Sequence, residues 1–459
     1  MSERANNSTR PAESTQLRSM QLAWLAAAVF VVSAGYGALM PVLPGWLGSL
    51  MSGISATVIA RHVGFFGGAY SVGVLVGALL WGVVSDRVGR GRILIIGLVG
   101  YVASLLLLLI PTQMGTWGLY ALRAATGFFV AAVVPVVSAL VAEHTPEEKR
   151  ARRFAWLSSM SLLGFLFGPG LSEVANGVGA WIGAGTVTAA TSARAVIVMS
   201  AVLGAVMMLG LARTLPASHP PTPLAPKSPE NSAEGHMSTL CLLSGMVTLV
   251  LAGFELGIVL QGQQHPGMSS RQVATMFAVC SLVMLIVNAV LFLTGLLQKV
   301  SSRLLIGAGL VVAMAGLAVM AWHTAEAFLY IGISLTSAGT GLVLPVIAYL
   351  AAGVSSQKLG ASMGALAAAG AFGQTIGSSL EGWLFGAVGQ SSFTWLIVPL
   401  AVMLGLLIAR PAAWPINPST PQKSPTRTGM KDLRDPIRTC SRSRDQQTKT
   451  TSERTAGRF

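Results

Sequence analysis

The sequence predicts an all-α membrane protein in which twelve transmembrane helices form two pseudo-symmetric six-helix bundles. Three observations carry this expectation. The composition is too apolar for a water-facing surface, the apolar residues fall into twelve stretches of spanning length, and the basic residues gather on one side of the resulting serpentine. Of 459 residues, 53% are hydrophobic and only 10% charged, whereas a soluble domain is roughly 25% charged. Glycine, at 52 residues, suits helices that must approach closely where no hydrophobic force between them drives association.

A spanning helix needs about 20 apolar residues. The first six windows of about that length fall at 22–44, 63–84, 93–110, 119–141, 154–175 and 195–212. The stretch before them, 1–20, is polar and carries Arg4, Arg10 and Arg18. It does not resemble a cleavable signal, because the apolar run that follows is too long for one. Residues 213–238 then break the pattern with His219-Pro220-Pro221-Thr222-Pro223, Pro226 and Pro229, which no helix accommodates. Six more windows follow at 239–260, 273–297, 304–322, 328–351, 361–386 and 393–409. The organisation expected is a tail at 1–20, a bundle at 21–212, a linker at 213–238, a second bundle at 239–410 and a basic, disordered tail at 411–459.

Charge sets the orientation. On one side of a twelve-span chain lie Arg87, Arg90, Arg92, Lys149, Arg150, Arg152, Arg153, Arg213, Lys299, Arg303 and both tails. The other side holds Arg61, Arg194 and Arg271, each at a helix border. By the positive-inside rule both termini are expected in the cytoplasm. The net charge of +14 therefore reflects topology, and no nucleic-acid partner is expected. Cys241, Cys280 and Cys440 show no metal-ligand or disulfide spacing, so neither a metal nor another cofactor is expected.

The halves repeat at an offset of about 210 residues. Val134-Pro135-Val136 returns as Leu344-Pro345-Val346, and Gly164-x-x-x-Gly168-x-x-Leu171 as Gly373-x-x-x-Gly377-x-x-Leu380. The loop Gly82-Val83-Val84-Ser85-Asp86-Arg87-Val88-Gly89-Arg90-Gly91-Arg92 has an eroded counterpart at 298–305. That loop resembles the signature of the major facilitator superfamily, Gly-x-x-x-Asp-Arg-x-Gly-Arg-Arg, with Gly91 standing before Arg92. Arg123-Ala124-Ala125-Thr126-Gly127 is similar to the family's Arg-x-x-x-Gly element in the fourth helix. Gly164-Phe165-Leu166-Phe167-Gly168-Pro169-Gly170 resembles the antiporter signature Gly-x-x-x-Gly-Pro-x-x-Gly-Gly, with Ser172-Glu173 in place of the last two glycines. Met40-Pro41-Val42-Leu43-Pro44 looks like the opening helix of the twelve-helix drug:proton antiporters, although Val32 stands where the tetracycline exporters carry an aspartate.

The resemblance implies a major facilitator fold and a non-enzymatic secondary transporter working by alternating access, with a small-molecule substrate, protons and the lipid bilayer as its partners. It implies a monomer in the bacterial inner membrane. Asp86, with Arg87, Gly89 and Arg90, would latch against the start of the eleventh helix near 359–364. Gly164, Gly168 and Pro169 would bend the fifth helix at the interface between halves. Proton-coupled efflux of small amphipathic molecules is the leading reading. The alternatives are a metabolite or sugar carrier of the same superfamily, and a receptor without transport. The sequence holds no HExxH, phosphate loop or Gly-x-Ser-x-Gly, which removes the common membrane-embedded enzymes.

Charge inside an apolar window is costly and marks a functional candidate. Glu255, between Phe254 and Leu256, is the leading proton-coupling group; Glu381 and Glu173 are also candidates. The last two follow glycine-rich turns toward the outer rim, where water is expected to reach them. Arg123 either faces the cavity as the counter-charge of Glu255 or extends to the nearby interface. Tyr36, Tyr70, Asn288 and Gln374 either line the cavity or form packing hydrogen bonds.

Overall fold

The computed structural model describes residues 18–409 apart from 52, 111–114, 146, 182–187, 216–230, 265–267, 269 and 355–358. Among the described residues every regular element is helical. The first half comprises α1 (Ser19–Leu39), α2 (Leu43–Leu50), α3 (Ala56–Val88), α4 (Arg90–Leu107), α5 (Gly115–Val130), α6 (Val134–Glu143), α7 (Glu147–Trp181) and α8 (Ala189–Thr214). The second comprises α9 (Asn231–Gln264), α10 (Ser270–Leu293), α11 (Leu296–Lys299), α12 (Ser302–Trp322), α13 (Glu326–Val354), α14 (Leu359–Val388) and α15 (Ser392–Ala409), with a 3-10 turn at Gly389–Ser391. Ten described stretches have the length and hydropathy of a span, and one of them, Met363–Ala409, is two helices joined through that turn. Another, Gly115–Val141, already joins α5 to α6; counting Met363–Ala409 as α14 and α15 and adding α7 gives the twelve crossings expected.

Proline and glycine account for most departures from the sequence windows. The window 22–44 splits into α1 and α2 around Pro41. The fourth window breaks at Ala131–Val133, just before Pro135, whose ring excludes the helical bond back to residue 131. Bonds from Ala132 to Phe129 and from Val133 to Val130 tighten the chain there. Pro345, its repeat counterpart, remains inside an unbroken α13. The eighth window ends early because Gly295 takes φ +64°, a left-handed turn suited to glycine, between α10 and α11. Helix α9 begins at Asn231, inside the stretch read as linker.

Cross-helix bonds at the helix ends fix how elements associate. At the end carrying the 85–92 loop, Gln21 donates to the carbonyl of Thr214 and Arg303 to that of Leu407. At the opposite end, Gln390 donates to the carbonyls of Met320 and His323. Apolar side chains such as Leu79, Val202, Val206, Val398 and Ile408 lie exposed along the outside, as a lipid-facing surface requires. Trp117, Trp181, Trp322 and Trp395 are exposed near the end away from the 85–92 loop, the placement of an interfacial aromatic belt.

The two halves are zipped together at that end by α3 and α14. A Cβ built on Gly382 would stand 2.6 Å from the Cα of Gly64 and 2.8 Å from the carbonyl of Ala60. Gly386 lies against Thr57, and Gly68 against Ser379 and Thr375. Toward the 85–92 end the same helices loosen, and a Cβ on Gly82 or Gly364 meets nothing within 4 Å.

Candidate functional site: a cavity between the halves

Between the halves lies a cavity of about 320 Å³. Its walls come from Thr248, Leu251, Ala252 and Glu255 of α9, from Phe277, Cys280, Ser281 and Met284 of α10, and from Ala367, Gly370, Ala371 and Gln374 of α14. Val74, Leu162 and Phe165 close it from the first half. An adjoining pocket of about 250 Å³ shares Val74, Phe165, Ala367 and Gln374 and adds Val32, Ser33, Tyr36, Tyr70 and Pro135. Together they form a mainly apolar space with a few polar groups, suited to a small amphipathic ligand.

Glu255 contributes a carboxyl to this wall, near the thiol of Cys280. Arg123 lies on the other half and is 2% exposed, so it does not extend to the interface. Its guanidinium carbon lies 4.5 Å from the ring centre of Tyr70, 5.2 Å from that of Phe66 and 5.5 Å from that of Tyr36. Its Nε and Nη2 have no hydrogen-bond partner, and only tyrosines act on its charge among the described residues. The expected pair with Glu255 is therefore not formed here. Three aromatic faces take the place of a counter-ion. A desolvated cation–π contact is worth up to ~2 kcal/mol, enough in combination to offset the ~2.5–3.5 kcal/mol cost of an arginine within a membrane. Tyr36, stacked under Arg123, also engages Gln374 on the cavity side.

The other candidates separate. Glu381 is fully buried rather than water-exposed at the rim: α14 continues for seven residues beyond it and α9 and α15 close over it. Glu173 is exposed on the outside of α7, away from the cavity wall. Gly164 and Gly168 pack on α1 of the same half, where a Cβ would stand 2.4 Å from the Phe30 carbonyl or 2.7 Å from the Gly37 carbonyl carbon. They hold a close contact with α1 within the half, while α7 also packs on α10 of the other half and runs unbroken through Pro169. Asn288 donates to the carbonyl of Met284 on its own helix and serves packing. Arg87 is exposed and Gly89, with φ +102°, is the turn between α3 and α4. Arg90 is half-buried at the start of α4, and the latch expected from Asp86 to residues 359–364 falls on side chains, those of Asp86 and of 359–362, outside the described residues. Phe66, which stacks on Arg123, and Phe165, which lines both pockets, were not among the sequence candidates, because in an apolar helix they read as ordinary core.

Two helical bundles around a shared internal cavity, sealed at one end, define a membrane carrier. The chain belongs to the Major Facilitator Superfamily, whose model matches residues 25–301 and 242–445. It is a multi-pass membrane transporter of small molecules, not an enzyme. It is 26% identical over 401 residues to the tetracycline resistance protein, class C, of Escherichia coli, a match spanning 84% of this chain and 96% of that one. It is 26% identical over 143 residues to the quinolone resistance protein NorA of Staphylococcus aureus, covering 31% of this chain and 35% of the relative. Among solved structures, the human organic anion transporter TETRAN matches with a TM-score of 0.65 at 18% identity, over 84% of this chain and 99% of that chain. A superfamily transporter, FucP, in its outward conformation matches at 0.58 and 14% identity, over 85% and 98%.

Proposed function

We propose that this transporter is a proton-driven exporter of small amphipathic molecules. One observation carries the reading: the Glu255 carboxyl lines an apolar cavity between the halves and forms no ion pair among the described residues, while a boxed cation, Arg123, is buried in the other half. A carrier driven by protons needs a group in the cavity that changes charge during its cycle. Glu255 is that group, and Arg123 on the other half is the cation held in reserve beside it by the aromatic box. The aromatic and aliphatic walls take the ligand body. The named activities of the two resistance proteins support export of drug-like molecules. The cavity is complete within one chain, which supports a monomer as the working unit.

In this reading the protein sits in the bacterial inner membrane with both termini in the cytoplasm, and the cavity here faces the cytoplasm. Reporter fusions after residues 225 and 415 are expected to report cytoplasm, and one after residue 115 the outside. A periplasmic report at 225 would reject this orientation. The function itself is tested by expressing the chain in a drug-sensitive host and screening a panel of amphipathic compounds, with and without an uncoupler. Uncoupler-sensitive resistance to several compounds is expected. Uncoupler-resistant efflux would remove proton coupling, and uptake of a single metabolite would replace export with the importer alternative.

A further inference from the structure

Glu381 is buried at the sealed end, behind the cavity wall. Its Oε1 accepts a 2.6 Å hydrogen bond from Ser392 Oγ, and its Oε2 has no partner. From α9 it is faced by two glycines: a Cβ on Gly257 would stand 3.1 Å from its Oε1, and one on Gly253 would stand 3.5 Å from its own Cβ. From α15 it is faced by Ser392, while Phe393 and Leu396 fill the space against the same glycines. Across the seam, Gly64 of α3 meets the adjacent Gly382. It forms no ion pair among the described residues.

Two opposing influences meet at this carboxyl. A buried anion without a counter-ion costs several kcal/mol. The Ser392 hydroxyl and the N-terminal end of α15, where Ser392 is the first residue, favour the anion. A group held between the two forms binds a proton reversibly.

The position separates it from the substrate cavity. Glu255 faces the cavity, whereas Gly253 and Gly257, two residues to either side, lie about 200° around the helix and face Glu381. Helix α9 thus carries one carboxyl before it and has one behind it. Ser391, next to Ser392, is exposed at the start of α15. Its neighbour Gly382 is the residue that closes the α3–α14 seam.

We propose that Glu381 and Ser392 form a second proton-binding site, off the substrate path, loaded from the sealed face when the α3–α14 seam parts. The proton comes from water on that face, attaches to Oε2 and converts the carboxylate to the neutral acid that closure can bury; on reopening it returns to the same water. The proposal rests on the reading of this chain as a proton-driven carrier, but its test does not depend on transport. The measurement is an infrared pH titration of the purified full-length protein, following the carbonyl stretch of protonated carboxyl groups. In the Glu255→Gln protein one titrating buried carboxyl band is expected to remain. It should disappear in Glu255→Gln/Glu381→Gln and shift in frequency in Glu255→Gln/Ser392→Ala, which keeps the carboxyl but removes its donor. A band that survives Glu381→Gln, no titrating band in Glu255→Gln, or a band unmoved by Ser392→Ala overturns the proposal. Uncoupler-resistant efflux by the wild-type protein, with this band present and lost on Glu381→Gln, would instead overturn proton-driven export and leave the site standing.

Discussion

Glu255→Gln is expected to abolish uphill transport while leaving downhill exchange of the same substrate in place. Glutamine keeps the shape and polarity of the side chain, so the cavity between α9, α10 and α14 should retain its walls. What it loses is a form that changes charge. A pH difference of about one unit supplies about 1.4 kcal/mol per proton, which sustains about a tenfold gradient of a neutral substrate. In inverted vesicles the variant should lose that factor and equilibrate substrate at a ratio of about one. Counterflow of labelled against unlabelled substrate needs no proton, so it should continue within about threefold of the wild-type rate; an amide-for-carboxyl exchange with its hydrogen-bonding capacity retained costs little. Proton-driven accumulation by Glu255→Gln at the wild-type level would reject Glu255 as the coupling group.

The fold was largely legible in the sequence because membrane insertion makes strong demands on it. Spanning length, charge asymmetry and proline-rich breaks act locally, and twelve crossings followed from them. The internal repeat added the two-bundle plan. Helix ends were less legible, since they depend on local exceptions: Pro135 breaks one helix while Pro345 leaves its counterpart intact.

The site was legible only in its charges. Glu255 and Arg123 stand out because ionisable residues are rare in apolar windows. The walls around them did not, although they follow a rule. Thr248, Leu251, Ala252 and Glu255 are spaced i, i+3, i+4, i+7, as are Phe277, Cys280, Ser281 and Met284, and Ala367, Gly370, Ala371 and Gln374. Each set is one face of one helix. In a soluble protein such a face stands out against a polar one; here the opposite face meets lipid and is equally apolar, so the contrast disappears. The aromatic box around Arg123 draws Tyr36 from α1, Phe66 and Tyr70 from α3 and the arginine from α5, a convergence that only tertiary packing creates. Glu381 was misplaced at a wet rim for the same reason: its burial depends on Gly253 and Gly257, more than 120 residues away, which allow α9 to close over it.

Gly382→Val is expected to stop transport by holding the sealed end open. At this crossing α3 and α14 touch backbone to backbone. A Cβ on Gly382 would lie 2.6 Å from the Cα of Gly64, 2.8 Å from the Ala60 carbonyl and 3.0 Å from the Gly64 nitrogen. No flexible side chain is there to move aside, so the helices must part. Overpacking costs about 1–3 kcal/mol in a core that can relax, which shifts the balance five- to 150-fold away from the sealed state. The seam joins two halves that each pack within themselves, so insertion and folding should be preserved. Labelling gives the direct readout. With Cys241, Cys280 and Cys440 replaced, Ser378→Cys places a thiol in the seam, where the serine is 3% exposed. A membrane-impermeant thiol reagent added from the sealed face should label it slowly in the parent and at least fivefold faster with Gly382→Val. Gly405→Val is the control, since a Cβ there meets nothing within 4 Å, and it should leave labelling and transport unchanged. Wild-type transport in Gly382→Val, with Ser378→Cys still protected, would show that the close glycine contact is not needed to seal the carrier.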